Sequence, residues 1–403
     1  MKQKFITLIV FSVGFFCIFS GCADSRDADF EVVTSYEVVG GWHSAAALDG
    51  ELNKLSYFSD GKIQDETQYS VQLLKVRYRT VYKGAAITAS GVVLVPTSGK
   101  GPFPVVSYHH GTKFYDGEIP SMSTAFNLEK EVGWAYVMAS AGFVCSVPDY
   151  LGFNESYQIL HPYLLEEPTG IVPLDMLRAT LELCEYINVK TTNRIFLTGY
   201  SEGGYATLVV QKRIQEQHAG EFSLAASSAG AGPYDLLTTA RVLSKQATNV
   251  VPAYAPFLFL AYKEYFGWGR ATSSVFQSPY ATRIDGGLFD GSHSVEQINA
   301  QLAVAPTNLY QEAFLSSINN GGELDFKNAL QTNSIYSGWA PNAPTRLYHG
   351  DVDLTVPYTN SLIASNAFQA SGGNFTMHTL TGKNHLSGAP FFLKETLLWF
   401  LSL

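Results

Sequence analysis

One serine lies in a glycine-flanked pattern that could make it a nucleophile. Residues 199–203 have the spacing G-x-S-x-G with Ser201 at the centre, between an apolar run and the helix-forming run EGGYATLVVQKRIQEQ. Small residues on both sides allow a turn tight enough to expose a serine hydroxyl, in a strained conformation, at the end of a strand. A phosphate-binding loop is the alternative, but neither a Lys-Ser/Thr pair nor G-x-G-x-x-G accompanies these glycines. The pattern therefore predicts a nucleophilic serine.

The sequence after Ser201 supplies an acid and a base. A serine hydroxyl attacks poorly until a base removes its proton, and that base needs an acid to orient it. Asp351 and Asp353 lie in a loop after a predicted strand, and His385 follows about 30 residues later in a second loop. The chain therefore offers these three groups in the order Ser, Asp, His.

This order, together with the serine turn, resembles the α/β-hydrolase superfamily over roughly residues 70–403, and in particular bacterial lipoproteins of the secretory lipase and esterase type. The resemblance implies that Asp353 is the acid, because D-x-x-V-P at residues 353–357 matches the usual acid position. Asp351 remains the alternative, and its other interpretation is a turn residue that bonds its own loop.

The same resemblance implies a base and two oxyanion donors. His385 follows the last predicted strand, where the base of the superfamily lies, whereas we interpret His349 and His378 as packing or hydrogen-bonding histidines. The expected donors are the backbone N–H of Glu202, directly after the nucleophile, and that of Thr112 in the loop after an early strand.

Four residues are expected to shape the substrate pocket: His110, Gly111, Tyr200 and Tyr150. Gly111 would let the backbone approach the substrate closely. Tyr150 lies in a sequence, residues 148–152, that resembles a P-D-Y-x-G element of secretory lipases and related hydrolases, and we interpret it as a turn in the pocket wall. The acid of this element is not needed for the Ser, Asp, His set.

Glu202 also places a carboxylate beside the nucleophile. The favoured interpretation is structural, since a negative charge at a helix N-terminus is stabilising. The alternatives are a hydrogen bond to a neighbouring loop and the binding of a cationic group of the substrate.

The adjacent histidines His109 and His110 do not predict a metal site. Neighbouring side chains on an extended chain point apart, and no carboxylate or cysteine spacing completes a ligand set. Hydrolysis by a serine needs only water and the site itself, so no cofactor is expected.

The pattern of elements predicts an α/β protein. Two antiparallel strands are predicted at residues 69–82 and 86–97, and strands and helices then alternate, which indicates βαβ units around a mostly parallel sheet with helices on both faces. A segment without clear strands, about 233–343, predicts a mainly helical cap inserted in the α/β-hydrolase domain, for which we expect the bounds 69–403.

The N-terminus predicts export. A basic start and an apolar run of about 16 residues indicate a signal peptide, residues 1–21. The sequence at its end resembles a lipobox, which implies lipid attachment at Cys22 and hence a membrane anchor on the outer membrane or cell surface, with the periplasmic face as an alternative. Residues 22–68 would form a tether and an N-terminal extension.

Composition excludes some classes of function. The formal net charge of −9 repels nucleic-acid phosphates, so no nucleic-acid partner is expected. With residues 1–21 removed and Cys22 carrying the lipid, only Cys145 and Cys184 remain as unmodified cysteines. They are predicted to lie in a strand and a helix, which favours two buried free thiols over a disulfide. Oligomeric state is not indicated.

These observations predict a serine hydrolase of carboxylic esters, an esterase or lipase, that forms an acyl-enzyme on Ser201. Six aromatic residues at near-helical spacing between residues 257 and 268 could cover an acyl-binding site or simply face the core. A peptidase of the prolyl-oligopeptidase type is the alternative, in which Glu202 would bind a free amino terminus. A binding lipoprotein without enzymatic activity is the third hypothesis.

Overall fold

The computed structural model describes residues 30–55, 58, 60–97, 99–124, 126–127 and 132–403, without the side chains of residues 40–42. The predicted signal peptide, Cys22 and most of the tether lie outside the described residues. Among the helices that are described, none combines the length and apolar character needed to cross a bilayer.

The described residues form one nine-stranded sheet. In chain order its strands are β1 (Val33–His43), β2 (Val71–Tyr82), β3 (Ala85–Pro96), β4 (Phe103–His109), β5 (Val144–Pro148), β6 (Thr191–Tyr200), β7 (Ser223–Gly230), β8 (Thr345–Gly350) and β9 (Phe375–Leu380). They lie side by side in the order β1-β2-β3-β5-β4-β6-β7-β8-β9. Strands β1 to β3 are antiparallel, β5 pairs antiparallel with β3, and all later neighbours are parallel.

The two strands predicted to be antiparallel form a continuous hairpin. β2 and β3 pair from Val71 with Pro96 to Tyr82 with Ala85. Lys83 and Gly84 make the turn, with φ of 51° and 75°, as a two-residue turn between right-twisted strands requires. This hairpin extends the parallel part of the sheet at one edge.

The helices of the described residues lie between the strands, in the cap or after the last strand. In chain order they are α1 (Ala45–Leu52), α2 (Val132–Ser140), α3 (Glu166–Tyr186), α4 (Glu202–Gln217), α5 (Leu236–Lys245), α6 (Tyr254–Tyr265), α7 (Tyr280–Asp285), α8 (Val295–Asn299), α9 (Pro306–Leu309), α10 (Glu312–Asn319), α11 (Leu324–Thr332), α12 (Thr359–Ala370) and α13 (His385–Leu401). Helices α5 to α11 all fall between β7 and β8, which is the predicted cap segment.

Successive residues of each strand point to opposite faces of the sheet, so the sheet has two apolar faces to cover. Val106 and Phe196 pack with side chains of α1, α2 and α13. Their neighbours Val105 and Ile195 pack with side chains of α3 and α4. The expected class is therefore confirmed: an α/β protein whose mostly parallel sheet carries helices on both faces and a mainly helical insertion.

Four elements differ from the sequence-based expectation. Strand β1 and helix α1 lie within the region interpreted as tether and extension, and β1 pairs with β2. Helices α3 and α13 begin at Glu166 and His385, about eight and six residues earlier than expected. Each contains an internal proline, Pro173 and Pro390, a residue that normally favours the end of a helix.

Candidate active site

Ser201 lies at the sharp turn between β6 and α4. Its φ of 61° and ψ of −122° are unusual for a residue with a side chain, and its N–H donates to Gly230 O at 2.8 Å. The flanking glycines are required by packing: a Cβ on Gly203 would lie 2.0 Å from His109 O, and one on Gly199 would lie 2.3 Å from Gly203 O. The strain is therefore held in place by the close approach of β4, β7 and α4.

The structure brings Ser201, His385 and Asp353 together in one hydrogen-bonded chain. His385 Nε2 lies 2.9 Å from Ser201 Oγ, and His385 Nδ1 lies 2.6 Å from Asp353 Oδ2. A carboxylate accepts, so Nδ1 carries the proton and Nε2 is free to accept from the serine. His385 is the first residue of α13, whose N-cap Asn384 forms a capping box with Ser387. This cap fixes the backbone that carries the imidazole.

Asp353 is buried and accepts three hydrogen bonds, and a second imidazole lies close to it. Its Oδ1 accepts the backbone N–H groups of Thr355 and Val356 at 2.9 and 3.0 Å. Its Oδ2 accepts from His385 and lies 3.3 Å from His349 Nε2, which also donates to Val356 O at 2.9 Å. Burial alone would raise the pKa of this carboxyl, but the hydrogen bonds from His349 and His385 outweigh it and hold the pKa well below its usual range.

The lowered pKa of Asp353 makes its stabilising effect dependent on pH. The folded value lies below the ordinary value of 3.8, so the ionised carboxylate stabilises the fold above about pH 4, and this contribution is lost as the pH falls through the folded pKa. We expect the difference in Tm between the wild type and Asp353→Asn to be larger at pH 6 than at pH 3 in differential scanning calorimetry. An equal difference at the two pH values would contradict this assignment.

The other sequence candidates for acid and base lie apart from Ser201. Asp351 is exposed, and its Oδ1 accepts from Gly382 N at 2.7 Å, as expected for a turn residue. His378 lies in β9, where its Nε2 is 3.0 Å from Thr376 Oγ1. Among the described residues, no hydrogen bond joins Asp351 or His378 to His385 or Ser201.

The expected oxyanion donors come from two elements next to the serine. Glu202 is the first residue of α4, so its N–H has no carbonyl of its own helix to bond. Thr112 follows β4, and its Oγ1 donates to Tyr163 Oη at 3.1 Å. Tyr163, which sequence analysis missed, lines the same cavity as Ser201. No motif around this tyrosine could have signalled its position.

The four residues expected to shape the pocket lie outside the lining of this cavity. The buried His110 is bonded to backbone, with Nδ1 2.7 Å from Gly111 O and Nε2 3.2 Å from Asp149 O. The ring of Tyr150 packs on it, with centroids 4.2 Å apart, and its hydroxyl donates to His110 O. Tyr200 donates to His385 O at 2.8 Å. The side chains of His110, Tyr150 and Tyr200 are therefore bonded to backbone atoms of neighbouring segments and do not line the cavity.

A mostly apolar cavity opens onto Ser201. It encloses about 900 Å³, open solvent included. Most of its lining comes from the cap: Leu236, Ala240 and Leu243 on one face of α5, and Tyr254, Leu258 and Phe259 on α6. Further apolar side chains come from the segments around α10 and α11, and Thr355 and Val356 from the acid loop complete it.

The aromatic residues between 257 and 268 take both expected roles, because one lines the cavity and others pack in a core. Phe259 lines the cavity, whereas Phe257 packs against Phe114 and Phe289, with centroids 4.9 and 5.5 Å away. Tyr262 is buried and donates to Leu164 O at 3.0 Å. The cap therefore has its own core, and part of it faces the serine.

The carboxylate of Glu202 is buried and bonded to a histidine. Its Oε1 lies 2.7 Å from His161 Nε2. This agrees with one of the weaker alternatives, a hydrogen bond to a neighbouring loop. The carboxylate is not placed to receive a substrate amine, because only 4% of the residue is exposed.

The structure describes no group of three or more metal-ligating side chains. His109 is buried between Ser107 Oγ and Thr207 Oγ1, at 3.0 and 2.9 Å. Burial, with a smaller contribution from His110, lowers the pKa of His109 to about 3. Cys145 and Cys184 are buried free thiols, as predicted.

Comparison with known proteins agrees with this fold. The sequence model of the secretory lipase family matches residues 118–261, which include Ser201. No curated protein matches the chain significantly. A structure from Legionella pneumophila, inferred to be a hydrolase, is 27% identical with a TM-score of 0.82, over 92% of this chain and 98% of that one.

Two further structures bear on the fold alone because they are more distant. The rice cell wall degrading esterase LipA of Xanthomonas oryzae is 24% identical with a TM-score of 0.78, over 90% of this chain and 94% of that one. Candida antarctica lipase A in its closed state is 18% identical with a TM-score of 0.63, over 92% of this chain and 81% of that one. By its sheet and these likenesses, the chain has the α/β-hydrolase fold and is similar to proteins of the lipase and esterase type.

Proposed function

We propose that this protein hydrolyses carboxylic esters through an acyl-enzyme on Ser201. The observation that carries the proposal is the hydrogen-bonded chain from Ser201 Oγ through His385 to Asp353, with distances of 2.9 and 2.6 Å. This is the geometry in which an imidazole can take the serine proton while a carboxylate holds its tautomer. The likeness to a lipase family supports an ester as substrate.

The reaction follows from these positions. His385 Nε2 takes the hydroxyl proton as Ser201 Oγ attacks the ester carbonyl, and the negative oxygen of the tetrahedral intermediate accepts from the N–H groups of Glu202 and Thr112. The C–O bond to the alcohol then breaks, and the alcohol leaves with the proton from His385. A water molecule gives a proton to His385 and attacks the carbonyl of the acyl-enzyme. The bond to Ser201 Oγ then breaks, His385 returns the proton to Oγ, and the carboxylic acid is released.

Asp353 keeps His385 in the productive tautomer throughout. Its carboxylate accepts from Nδ1 and stabilises the imidazolium that forms in each half of the reaction. His349 holds Asp353 from the other side, and its Nδ1 lies 2.7 Å from Ser361 Oγ. The acid is therefore held by two imidazoles, only one of which reaches the serine.

The cap cavity supplies the acyl-binding site in this proposal. Its lining is almost wholly apolar, so each methylene of an acyl chain that enters it leaves water. Burial of one methylene stabilises a complex by about 0.8 kcal/mol, or roughly fourfold in kcat/KM. A chain of medium or long length is the expected substrate.

The acyl preference tests this proposal directly. With p-nitrophenyl esters from acetate to palmitate, we expect kcat/KM to rise with chain length up to a maximum beyond butyrate and to depend on Ser201. Ala240→Trp, which places a large ring in the cavity, should lower the ratio of octanoate to acetate turnover at least tenfold, by roughly fourfold for each excluded methylene.

The matched control is Ala300→Trp, at an exposed cap position next to α8, which should keep the wild-type ratio. A maximum of kcat/KM at acetate would instead indicate an esterase for small acyl groups. The absence of turnover of any ester would overturn the proposed function.

The proposal includes export with a lipid anchor at Cys22. It is supported by the apolar leader and the lipobox-like sequence, and by the likeness to a secretory family. On this account residues 1–21 are removed, and the α/β-hydrolase domain, with its cap at about 233–343, is held at a membrane surface.

The peptidase alternative depended on Glu202 as the binding group for a free amino terminus. It is less well supported, because the Glu202 carboxylate is bonded to His161.

A further inference from the structure

A buried glutamate directly follows the nucleophile in the sequence and is bonded to a buried histidine. Glu202, the residue after Ser201, and His161, in the loop before α3, are 4% and 5% exposed. Glu202 Oε1 lies 2.7 Å from His161 Nε2. The second carboxyl oxygen, Oε2, is buried and has no hydrogen-bond partner among the described residues. His161 is therefore the group that compensates the charge of this carboxylate.

The hydrogen bonds of His161 fix the number of protons in the pair. Its Nδ1 lies 2.7 Å from Leu151 O, and a carbonyl oxygen only accepts, so Nδ1 carries a proton. The short contact between Nε2 and Oε1 then needs one further proton, on the histidine or on the glutamate. In either case the two side chains together carry no net charge.

Packing holds the imidazole in this position. Its ring stacks on Tyr150, with centroids 5.8 Å apart and an angle of 17°. From the cap, Phe257 of α6 lies with its ring centroid 5.8 Å away. Tyr150, in the same loop, and Phe257, in the cap, therefore hold the imidazole of His161 from two sides.

The charge of Glu202 matters because of where its backbone lies. The N–H of this residue is an expected donor to the oxyanion, so its own side chain starts a few ångströms from the place where negative charge develops. Like charges at such a separation in a protein interior repel strongly. An uncompensated carboxylate there would raise the barrier to the tetrahedral intermediate.

We propose that His161 is a positioning residue that neutralises the Glu202 carboxylate and so allows a glutamate to occupy the oxyanion position beside Ser201. This inference rests on the proposed ester hydrolysis. If His161 acted through packing alone, its loss would lower kcat in any background. The proposed role predicts that its loss lowers kcat only while residue 202 can carry a charge.

A double-mutant cycle tests this coupling. In the first pair, kcat and KM for p-nitrophenyl butyrate are measured for the wild type and His161→Gln, whose amide can still bond but cannot carry a proton charge. In the second pair the same change is made in the Glu202→Gln background. We expect His161→Gln to lower kcat on the order of 10- to 100-fold with Glu202 present, with KM changed less than about threefold, and to lower kcat less than about threefold in the Glu202→Gln background.

The matched control is His218→Gln, which removes the histidine of a second pair, with Glu221, at the far end of α4. It should keep the wild-type kcat. Equal losses of kcat from His161→Gln in both backgrounds would overturn the inference while leaving ester hydrolysis intact. A wild type without Ser201-dependent ester turnover would overturn both the proposed function and this inference.

A second measurement does not depend on the folding of His161→Gln. In wild-type protein labelled with ¹⁵N-histidine, NMR should show a hydrogen-bonded proton at low field on or near His161 Nε2 that disappears in Glu202→Gln. The absence of such a resonance in the wild type would also overturn the inference.

Discussion

Ser201→Ala is expected to lower kcat for ester hydrolysis by roughly 10⁵- to 10⁶-fold, to the background left by binding and the oxyanion donors. The reason is that the attacking oxygen is lost, and the structure describes no other hydroxyl within reach of His385 Nε2. His385→Ala should cause a loss of similar size, because the two residues act as one unit. Steady-state kinetics with a p-nitrophenyl ester measures both.

The control for this prediction is His378→Ala, which removes the histidine that precedes His385 in the sequence. His378 lies in β9 with its ring stacked on Tyr348, 4.6 Å between centroids, away from the serine. It should leave kcat within about threefold of the wild type. Retention of more than a thousandth of the activity by Ser201→Ala would mean that another nucleophile acts.

Asp353→Asn is expected to lower kcat by about 10⁴-fold while the protein stays folded. An amide in place of Oδ2 no longer accepts from His385 Nδ1 as a carboxylate does, so the imidazole can take the tautomer that cannot receive the serine proton. The change should appear in kcat more than in KM, because the acid touches no substrate. Circular dichroism at neutral pH checks that the fold is kept.

Asp351→Asn is the matched comparison, since it makes the same change two residues earlier in the same loop. Its carboxylate bonds only Gly382 N in the described hydrogen bonds and is exposed. We expect its kcat within about twofold of the wild type. A larger loss at Asp351 than at Asp353 would reverse the assignment of the acid.

The three residues of the hydrogen-bonded chain could be predicted from the sequence because each lies in a local pattern. The turn around Ser201 needs glycines at fixed offsets, and the loops that carry Asp353 and His385 each follow a strand whose period is visible in the chain. The parallel order of β4 to β9 then follows from alternating strands and helices, since such strands bring their carboxyl ends to one edge.

The surroundings of the site were not accessible in the same way. The lining of the cavity comes from cap helices whose apolar residues could face either the cap core or the serine, and only packing separates Phe259 from Phe257. His161 and Glu202 are 41 positions apart and meet through tertiary structure alone. For the same reason the sequence did not indicate that His110 and Tyr150 lie outside the lining of the cavity.

The N-terminal part of the sheet was missed for a different reason. Strand β1 (VTSYEVVGGWH) mixes polar residues and glycines, and it lies at an edge where only one neighbour constrains it. Its first residue is held by a distant partner, since the Glu182 carboxylate accepts from Val33 N at 2.7 Å. A local sequence pattern does not indicate a contact between residues that are 149 positions apart.

The most direct test of the central claim is to find the acyl group. The protein is mixed with a p-nitrophenyl ester, quenched in acid within the first turnover, digested and analysed by mass spectrometry. The account predicts a peptide that contains Ser201 and carries the mass of the acyl group, formed with a burst of p-nitrophenol and absent in Ser201→Ala. An acyl group on another residue, or turnover that persists in Ser201→Ala without any acylated peptide, would contradict it.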